Sequence, residues 1–184
     1  MDGGNSAKRV DRSGHADEHI FASDYHISSG TVDCFKDDVR NRSATRNQAT
    51  TEMTGDGIPP SCTDNWKAAN TVQESSVKIY EQTGIFISAC QHGIMETFCE
   101  MHHSSELYVR NLISEQLLNI FCCRAKYALA TVNKIIDVFG ENQTIGYDIG
   151  CSFSSTIASS SIATKARENC LSCCVNAFHG HGHK

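Results

Sequence analysis

The sequence predicts an α/β fold, and three observations lead to that prediction. Two short apolar runs, at residues 84–90 and 144–151, are bounded by glycine and rich in strand-forming residues, as expected for buried strands. Between them, residues 125–139 repeat apolar side chains at the i, i+4, i+7 spacing of an amphipathic helix. Such strands and helices in a chain of 184 residues indicate one domain with a real core.

The N-terminal part of the chain predicts short elements. Asp2 beside two glycines is typical of a turn, and residues 13–29 mix histidine and serine with apolar residues, which favours one or two short strands. Thr31 is placed to cap a helix whose first turn contains Asp33. Residues 41–60 are rich in Thr, Asn, Gly and Asp, which predicts a disordered insertion or a long surface loop.

The remaining elements follow from periodicity and from the residues that end helices. Glycine after an apolar helical pattern is a common stop signal, and a short apolar run near the end of the chain favours a strand. The predictions are a strand over residues 84–90, a mostly helical stretch over 91–107, the helix of 125–139 ending at Gly140, a Ser/Ala-rich helix over 154–168 and a strand over 171–178.

Composition and charge exclude several classes of protein. No apolar run reaches the ~18 residues that span a bilayer, and the polar N-terminus predicts no secretion signal. We therefore expect an intracellular protein whose ten cysteines are mostly reduced thiols. With 16 basic and 21 acidic residues, the chain lacks the basic balance of a self-sufficient nucleic-acid binder.

The run Thr144–Cys151 carries a carboxylate, Asp148, inside what we predict to be a buried central strand. Burying an unpaired carboxylate is so costly that the group should be neutral, paired or bound to metal. The alternative is that Asp148 lies near a strand end and caps the following turn. The stretch by itself leaves both interpretations open.

Histidines and cysteines raise the question of zinc. His179, His181 and His183 alternate along the tail, and alternate residues of an extended chain point to opposite faces, so these three alone do not form a closed site. Cys90 with His92 would add ligands, as would Cys170 with Cys173, but none of these pairs has a recognised zinc spacing. A zinc-stabilised interaction module would use Cys90, His92, His179 and His183; the alternative is that the histidines are solvent-exposed or hydrogen-bonded.

Carboxylate chemistry is the remaining enzymatic interpretation, because no P-loop, dinucleotide-binding fingerprint or nucleophile elbow is present. Two acids from separate strands can hold paired Mg²⁺ ions, which activate a water or hydroxyl and stabilise a leaving oxygen. Spacing alone does not choose which acids pair.

Several motifs, in order, resemble those of the fungal Kyakuja-Dileera-Zisupton (KDZ) transposases. The likeness begins at Met1–Asp11, which resembles the Asp-Gly-Asn motif of that family and the sequence that leads from it into Gly14–Glu18. The likeness then runs nearly from end to end of the chain. The other matching motifs are Thr63–Asn70, Glu81–Phe86, Ser88–Gly93, Gly146–Cys151 and Val175–Gly180.

The resemblance implies a partial ribonuclease-H-like, DDE-type catalytic core that cuts and rejoins DNA with acidic residues and a divalent metal. By motif match, the first acid on the first strand is Asp2, and the second, on a neighbouring strand of the same sheet, is Asp148. The implied cofactor is Mg²⁺ or Mn²⁺. The implied partners are the DNA of transposon ends and further copies of the protein, in the nucleus and with no membrane association.

Two departures from the family pattern concern activity: the first predicts that this chain by itself is inactive, and the second that even a full-length parent is decayed. A third acid, a glutamate, is expected beyond Phe178–Gly180 and is absent from these 184 residues, as are the residues that normally precede Asp2. Gln91 stands where the family usually has arginine, so a fixed positive charge is lost. The competing hypothesis is a non-enzymatic transposon remnant, or a module that binds DNA or protein without cutting.

A third departure is the additional segment at residues 108–124, which separates Glu106-Leu107 from Ala125-Lys126-Tyr127. We interpret it as a translated, unspliced intron, because Val109–Asn111 can be encoded as a splice donor and Cys123-Arg124 as an acceptor. The alternative is a genuine inserted helix, which the apolar residues of the segment would support.

Overall fold

A computed structural model describes residues 1–4, 7–19, 22–38, 79–102 and 115–175, with the backbone only over 115–124. In this part of the chain, helices and strands are mixed, as predicted. The strands are β1 (Asp2–Gly4), β2 (Arg9–Val10), β3 (Tyr80–Ala89), β4 (Met95–His102), β5 (Thr144–Gly146) and β6 (Ser172–Cys174). The helices are α1 (Ser29–Asp33), α2 (Glu115–Phe139), α3 (Gly150–Ala158) and α4 (Ala163–Glu168).

The larger sheet is antiparallel and is centred on β3. One edge of β3 pairs with β4. Strands β1 and β2 also pair with β3, and Asp2 of β1 lies opposite Ile87 of β3. A second, two-stranded sheet consists of β5 and β6 in parallel. The sequence therefore predicted the mixed class, and the structure adds the largely antiparallel pairing.

The core lies where α2 packs on β3 and β4. Ala128, Leu129, Val132, Ile135 and Ile136 are all buried, and this confirms the predicted amphipathic face. Phe139, which the same pattern placed inward, is 47% exposed at the helix end. Gly140, with φ of +74°, ends the helix in the left-handed conformation that glycine tolerates best.

The predicted helix after Gln91 is wrong, because the chain turns back as strand β4. The Cys90 carbonyl accepts from the N–H of Gly93, whose φ of +78° suits a tight turn, and the Cys90 N–H donates to the Ile94 carbonyl at 2.9 Å. Burial alternates along β4, with Thr97, Cys99 and Met101 inside. This period of two is the mark of a strand.

The short strands predicted within residues 13–29 are not found at residues 13–19 and 22–29, the part of this segment that the structure describes. Turns occupy residues 11–16, where Arg12 and Gly14 have positive φ, and His26 forms an isolated bridge to Phe98. The nearby helix α1 begins earlier than predicted. Ser28, not Thr31, is its N-cap and accepts a hydrogen bond from the Thr31 N–H.

The helix predicted over residues 154–168 is divided into α3 and α4. Serine hydroxyls hydrogen-bond to backbone carbonyls at the break, with Ser159 bonding to Ser155 and Ser160 to Ile157. Such bonds offer the backbone an alternative to a continuous helix. The next predicted strand is shorter than expected, and its residues from 176 onward lie outside the described part of the chain.

Two further predictions fall wholly or partly outside the described residues. The expected insertion at residues 41–60 lies outside them, as do residues 108–114 of the additional segment. Residues 115–124 form the first part of α2, continuous with the helix predicted from Ala125 onward. Among the described residues, no helix has the length and apolar character needed to cross a membrane.

Candidate metal centre

Asp2 lies on strand β1, although its neighbouring glycines favoured a turn. Antiparallel pairing places it opposite Ile87 on β3. The Asp2 side chain is exposed, and its Oδ1 accepts a hydrogen bond from the N–H of Gly3 at 2.7 Å. The carboxylate is therefore held at the edge of the sheet with capacity for further ligands.

Asp148 lies in the turn between β5 and α3, so the prediction of a buried strand position for it is wrong. Strand β5 ends at Gly146, and of its three residues only Ile145 is buried. Asp148 is half-buried, and its Oδ1 accepts from the N–H of Ile149 at 2.8 Å. The chain turns here because Gly150 N–H donates to the Tyr147 carbonyl. The alternative interpretation, an acid that caps a turn after a strand, describes this geometry.

A long-range hydrogen bond brings the segments that carry the two acids together. The ammonium group of Met1 donates to the carbonyl of Gly146 at 2.6 Å, across 145 positions of sequence. Asp2 follows Met1 directly, and Asp148 follows Gly146 by two residues. The start of β1 and the end of β5 are therefore neighbours, although the two strands share no ladder in the described structure.

Aromatic packing fixes the turn that carries Asp148. The ring of Tyr147 meets Phe86 of β3 edge-on at 6.0 Å between centroids, and it meets Phe153 of α3 in the same way at 5.2 Å. Edge-to-face pairs of this kind add to the stabilisation from burial. Tyr147 thus links the β5 turn to the larger sheet on one side and to α3 on the other.

Beside this site lies a cleft of about 620 Å³ between β3 and β5, which we call the interstrand cleft. One wall is formed by residues 88–91, at the end of β3 and in the turn that follows it. The opposite wall is formed by Gln143 and strand β5. Met1, Glu96 and Ile135 complete the lining. The sequence analysis did not select Glu96 as a lining residue. The alternation of buried and exposed residues along β4 would have placed it, but that stretch was predicted to be helical.

Comparison with known proteins identifies the family. The sequence profile described as Kyakuja-Dileera-Zisupton transposase matches residues 1–122 and 123–184. The chain belongs to the KDZ transposase family. No curated protein and no solved structure matches the chain.

The motifs shared with the KDZ family border the candidate centre. Glu81–Phe86 lies within β3, next to the strand that carries Asp2, and Gly146–Cys151 runs from the end of β5 into α3. Gln91, at the position where we noted arginine in the family, lines the interstrand cleft and is exposed. The family motif at Thr63–Asn70 and most of Val175–Gly180 lie outside the described residues.

The candidate zinc ligands come together only in part. Cys90 Sγ and His92 Nδ1 are 3.7 Å apart in the turn between β3 and β4. His179 and His183 lie outside the described ranges. Within those ranges, no group of three or more His, Cys, Asp or Glu side chains is arranged to hold a metal ion. Among the described residues, no third side chain of these types is therefore placed with Asp2 and Asp148 to complete a metal site.

Proposed function

We propose that this chain is part of the catalytic domain of a DNA transposase, with Asp2 and Asp148 as its metal-binding acids. The proposal rests on the hydrogen bond from Met1 to Gly146, which makes the segments carrying the two acids neighbours. Family membership supplies the expected reaction, the cleavage and transfer of DNA strands, and a ribonuclease-H-like core as its framework. The DNA of transposon ends in the nucleus is the proposed partner, bound by an oligomeric parent protein.

The donor set suits Mg²⁺ or Mn²⁺. Both ions take oxygen ligands, and Mg²⁺ is commonly held by one or two carboxylates together with substrate phosphates. In Asp2 and Asp148, Oδ1 accepts from the next backbone N–H, which orients the carboxylate, while Oδ2 remains for an ion. The chemistry that a bound ion supplies is activation of the attacking oxygen and stabilisation of the leaving oxygen.

Two carboxylates hold an ion less firmly than three, so we expect Asp2 and Asp148 by themselves to bind metal weakly. The formal charge of −5 also opposes binding to DNA, so the groups that neutralise phosphate would come from other parts of the parent protein.

Metal binding by this chain tests the assignment directly. We expect Mn²⁺ titrated by electron paramagnetic resonance to bind weakly, and Asp2→Asn or Asp148→Asn to reduce the affinity at least tenfold, since even outer-shell changes cost about that much. In a longer KDZ protein that contains this sequence, Asp148→Asn should abolish metal-dependent strand cleavage.

Asp11→Asn is the matched control, because it removes the same charge at the far end of the sheet. The Asp11 N–H bonds to the Ile79 carbonyl, whereas Asp2 pairs with Ile87, about 25 Å further along β3 at ~3.3 Å per residue. Equal loss of Mn²⁺ affinity in Asp11→Asn and Asp148→Asn would mean that the ion is attracted by the overall negative charge of the chain and not bound at a specific site. Unchanged affinity in Asp148→Asn would remove that residue from the site.

A further inference from the structure

The turn that joins β3 to β4 carries a sulfur and a nitrogen at the spacing of two zinc ligands. Cys90 Sγ and His92 Nδ1 are 3.7 Å apart. Zinc–sulfur bonds of about 2.3 Å and zinc–nitrogen bonds of about 2.0–2.1 Å, at a tetrahedral angle, place the two ligand atoms ~3.6 Å from each other. One ion can therefore bind both atoms with little movement of either side chain.

Backbone hydrogen bonds hold this pair in position. The Gly93 N–H donates to the Cys90 carbonyl, and the Cys90 N–H donates to the Ile94 carbonyl, both at 2.9 Å. The positive φ of Gly93 lets the chain reverse within this short span. Because the turn is already defined, binding an ion there orders little additional backbone.

The pair is incomplete and open to solvent. A closed structural zinc site has four ligands, but across the described ranges no three His, Cys, Asp or Glu side chains are grouped to hold an ion. Residues 91–95 are all exposed, Ile94 at 67% and Met95 at 44%. A Cβ atom built at Gly93 would meet nothing within 4 Å. The turn therefore leaves room for a second protein surface and presents apolar side chains beside the two ligand atoms.

A second copy of this chain has the ligands that complete the set. Two-fold symmetry brings one Cys90 and one His92 from each copy to a shared ion, which makes a Cys₂His₂ site. Each thiol releases its proton to solvent, so two thiolates balance the charge of Zn²⁺. A site without net charge can be buried between the exposed Ile94 side chains of the two copies without leaving an unpaired charge.

We propose that zinc joins two copies of this chain through the Cys90–His92 pairs of their β3–β4 turns. The alternative is a site within one chain, completed by His179 and His183, which lie outside the described residues. The two arrangements differ in stoichiometry, with one zinc for two chains in the first and one zinc for each chain in the second. Neither uses the carboxylates of the candidate metal centre, so the inference does not rest on the proposed function.

The test measures bound metal and mass together, on the full chain reduced with a phosphine and freed of metal by chelation. Zn²⁺ is titrated during sedimentation equilibrium, and Co²⁺ replaces it in a parallel titration because its absorption reports tetrahedral thiolate ligation. We expect Zn²⁺ to lower the dissociation constant of the dimer at least about tenfold. Since the chain has ten cysteines, the site is counted as the zinc lost in Cys90→Ser, which should be one ion for every two chains.

Matched variants assign the effect to the turn. Cys90→Ser and His92→Gln should each abolish dimer formation by zinc. Cys34→Ser and His15→Gln make the same changes at other exposed positions and should leave it intact. Ile94→Ser keeps all four ligands, so its Co²⁺ spectrum at saturation should match that of the unchanged chain, while its dimer should dissociate several-fold more readily because apolar contact is lost.

Loss of one zinc from each chain in Cys90→Ser, with monomers at every zinc concentration, would overturn the proposal in favour of a site within one chain. A zinc-dependent dimer unchanged by His92→Gln would overturn it as well, and so would a dissociation constant that does not depend on zinc. Asp148→Asn should leave the zinc-dependent dimer intact. Failure of Mn²⁺ binding and failure of zinc-dependent association are therefore distinguishable results.

Discussion

Replacing Gly150 with alanine tests whether close backbone contact fixes the turn that carries Asp148. A Cβ atom at Gly150 would lie 2.6 Å from the carbonyl oxygen of Cys174 and 2.9 Å from its carbon. Both are backbone atoms of the end of β6, so neither moves as freely as a side-chain tip. Helix α3 begins at Gly150, and the substitution therefore forces the start of α3 and the end of β6 apart.

Two opposing effects set the magnitude. Alanine is a better helix former than glycine by roughly 0.5–1 kcal/mol, which by itself would stabilise the variant. Inserting a methyl group where packing leaves no space costs about 1–3 kcal/mol. We expect the contact to dominate and Gly150→Ala to lower the free energy of unfolding by about 1–2 kcal/mol, measured by urea denaturation with an unchanged m-value.

Gly146→Ala is the control, in the same family motif and only four residues earlier. A Cβ atom there meets no heavy atom within 4 Å, and Gly146 has no positive φ that would strain alanine. Its free energy of unfolding should change by no more than about 0.5 kcal/mol. Equal destabilisation by the two substitutions, or a more stable Gly150→Ala, would refute the contact as the reason for glycine at position 150.

Three further predictions concern a thiol, an ion pair and the transcript. Burial raises the pKa of the Cys99 thiol to about 12, so iodoacetamide at pH 8 should label exposed Cys34 rapidly and Cys99 only after unfolding; equal rates would contradict the burial. The hydrogen bond from Lys126 to Asp33, at 2.6 Å, lowers the pKa of the Asp33 carboxyl. Its stabilisation is therefore present above the unfolded pKa of ~3.9 and is lost as pH falls through the lower folded value. Because the Asp33 side chain is 55% exposed, Asp33→Asn should lower the free energy of unfolding by at most about 1 kcal/mol at pH 7. Below about pH 4, the midpoint of urea denaturation should depend less on pH in this variant than in the unchanged chain. An unchanged pH profile would argue against the ion pair. Sequencing the transcript tests the intron hypothesis, which a spliced message retaining codons 108–124 would exclude.

The elements predicted correctly are those whose buried side chains are large and apolar. Helix α2 buries Leu129, Val132 and Ile136 on one face, and β3 combines β-branched and aromatic residues. Strand β4 was missed because Thr97 and Cys99 occupy two of its three buried positions. A small hydroxyl or thiol side chain contributes little to a hydropathy pattern, although its burial follows the period of two as strictly as leucine would.

The break between α3 and α4 shows a different limit of the sequence patterns. Ile157 of α3 and Ile162, the residue just before α4, are both buried, as predicted for a single helix. The run of serines between them ends the first helix through local hydrogen bonds, and Ser161 also donates to Asp38, more than a hundred residues away. Periodicity measures which side chains face the core, but it does not record competition for backbone carbonyls.

For the candidate site, the sequence indicated candidate residues but not their arrangement. Motif resemblance selected Asp2 and Asp148, and it placed Asp2 on a strand against the local preference of two glycines for a turn. The contact between Met1 and Gly146 depends on how α2 returns the chain to the sheet, which no local pattern specifies. The sequence did not decide whether Asp148 lies in a strand or in a turn. A difference of one apolar residue is enough to change where a short strand ends.

In the described residues, the approach of the Asp2 and Asp148 segments is maintained by the Met1 hydrogen bond and by the packing of Tyr147 between Phe86 and Phe153. An ion held by both carboxylates, as proposed, would restrict their separation further. Because the ion would favour this one arrangement of β1 against β5, the arrangement and metal binding should strengthen each other by the same factor.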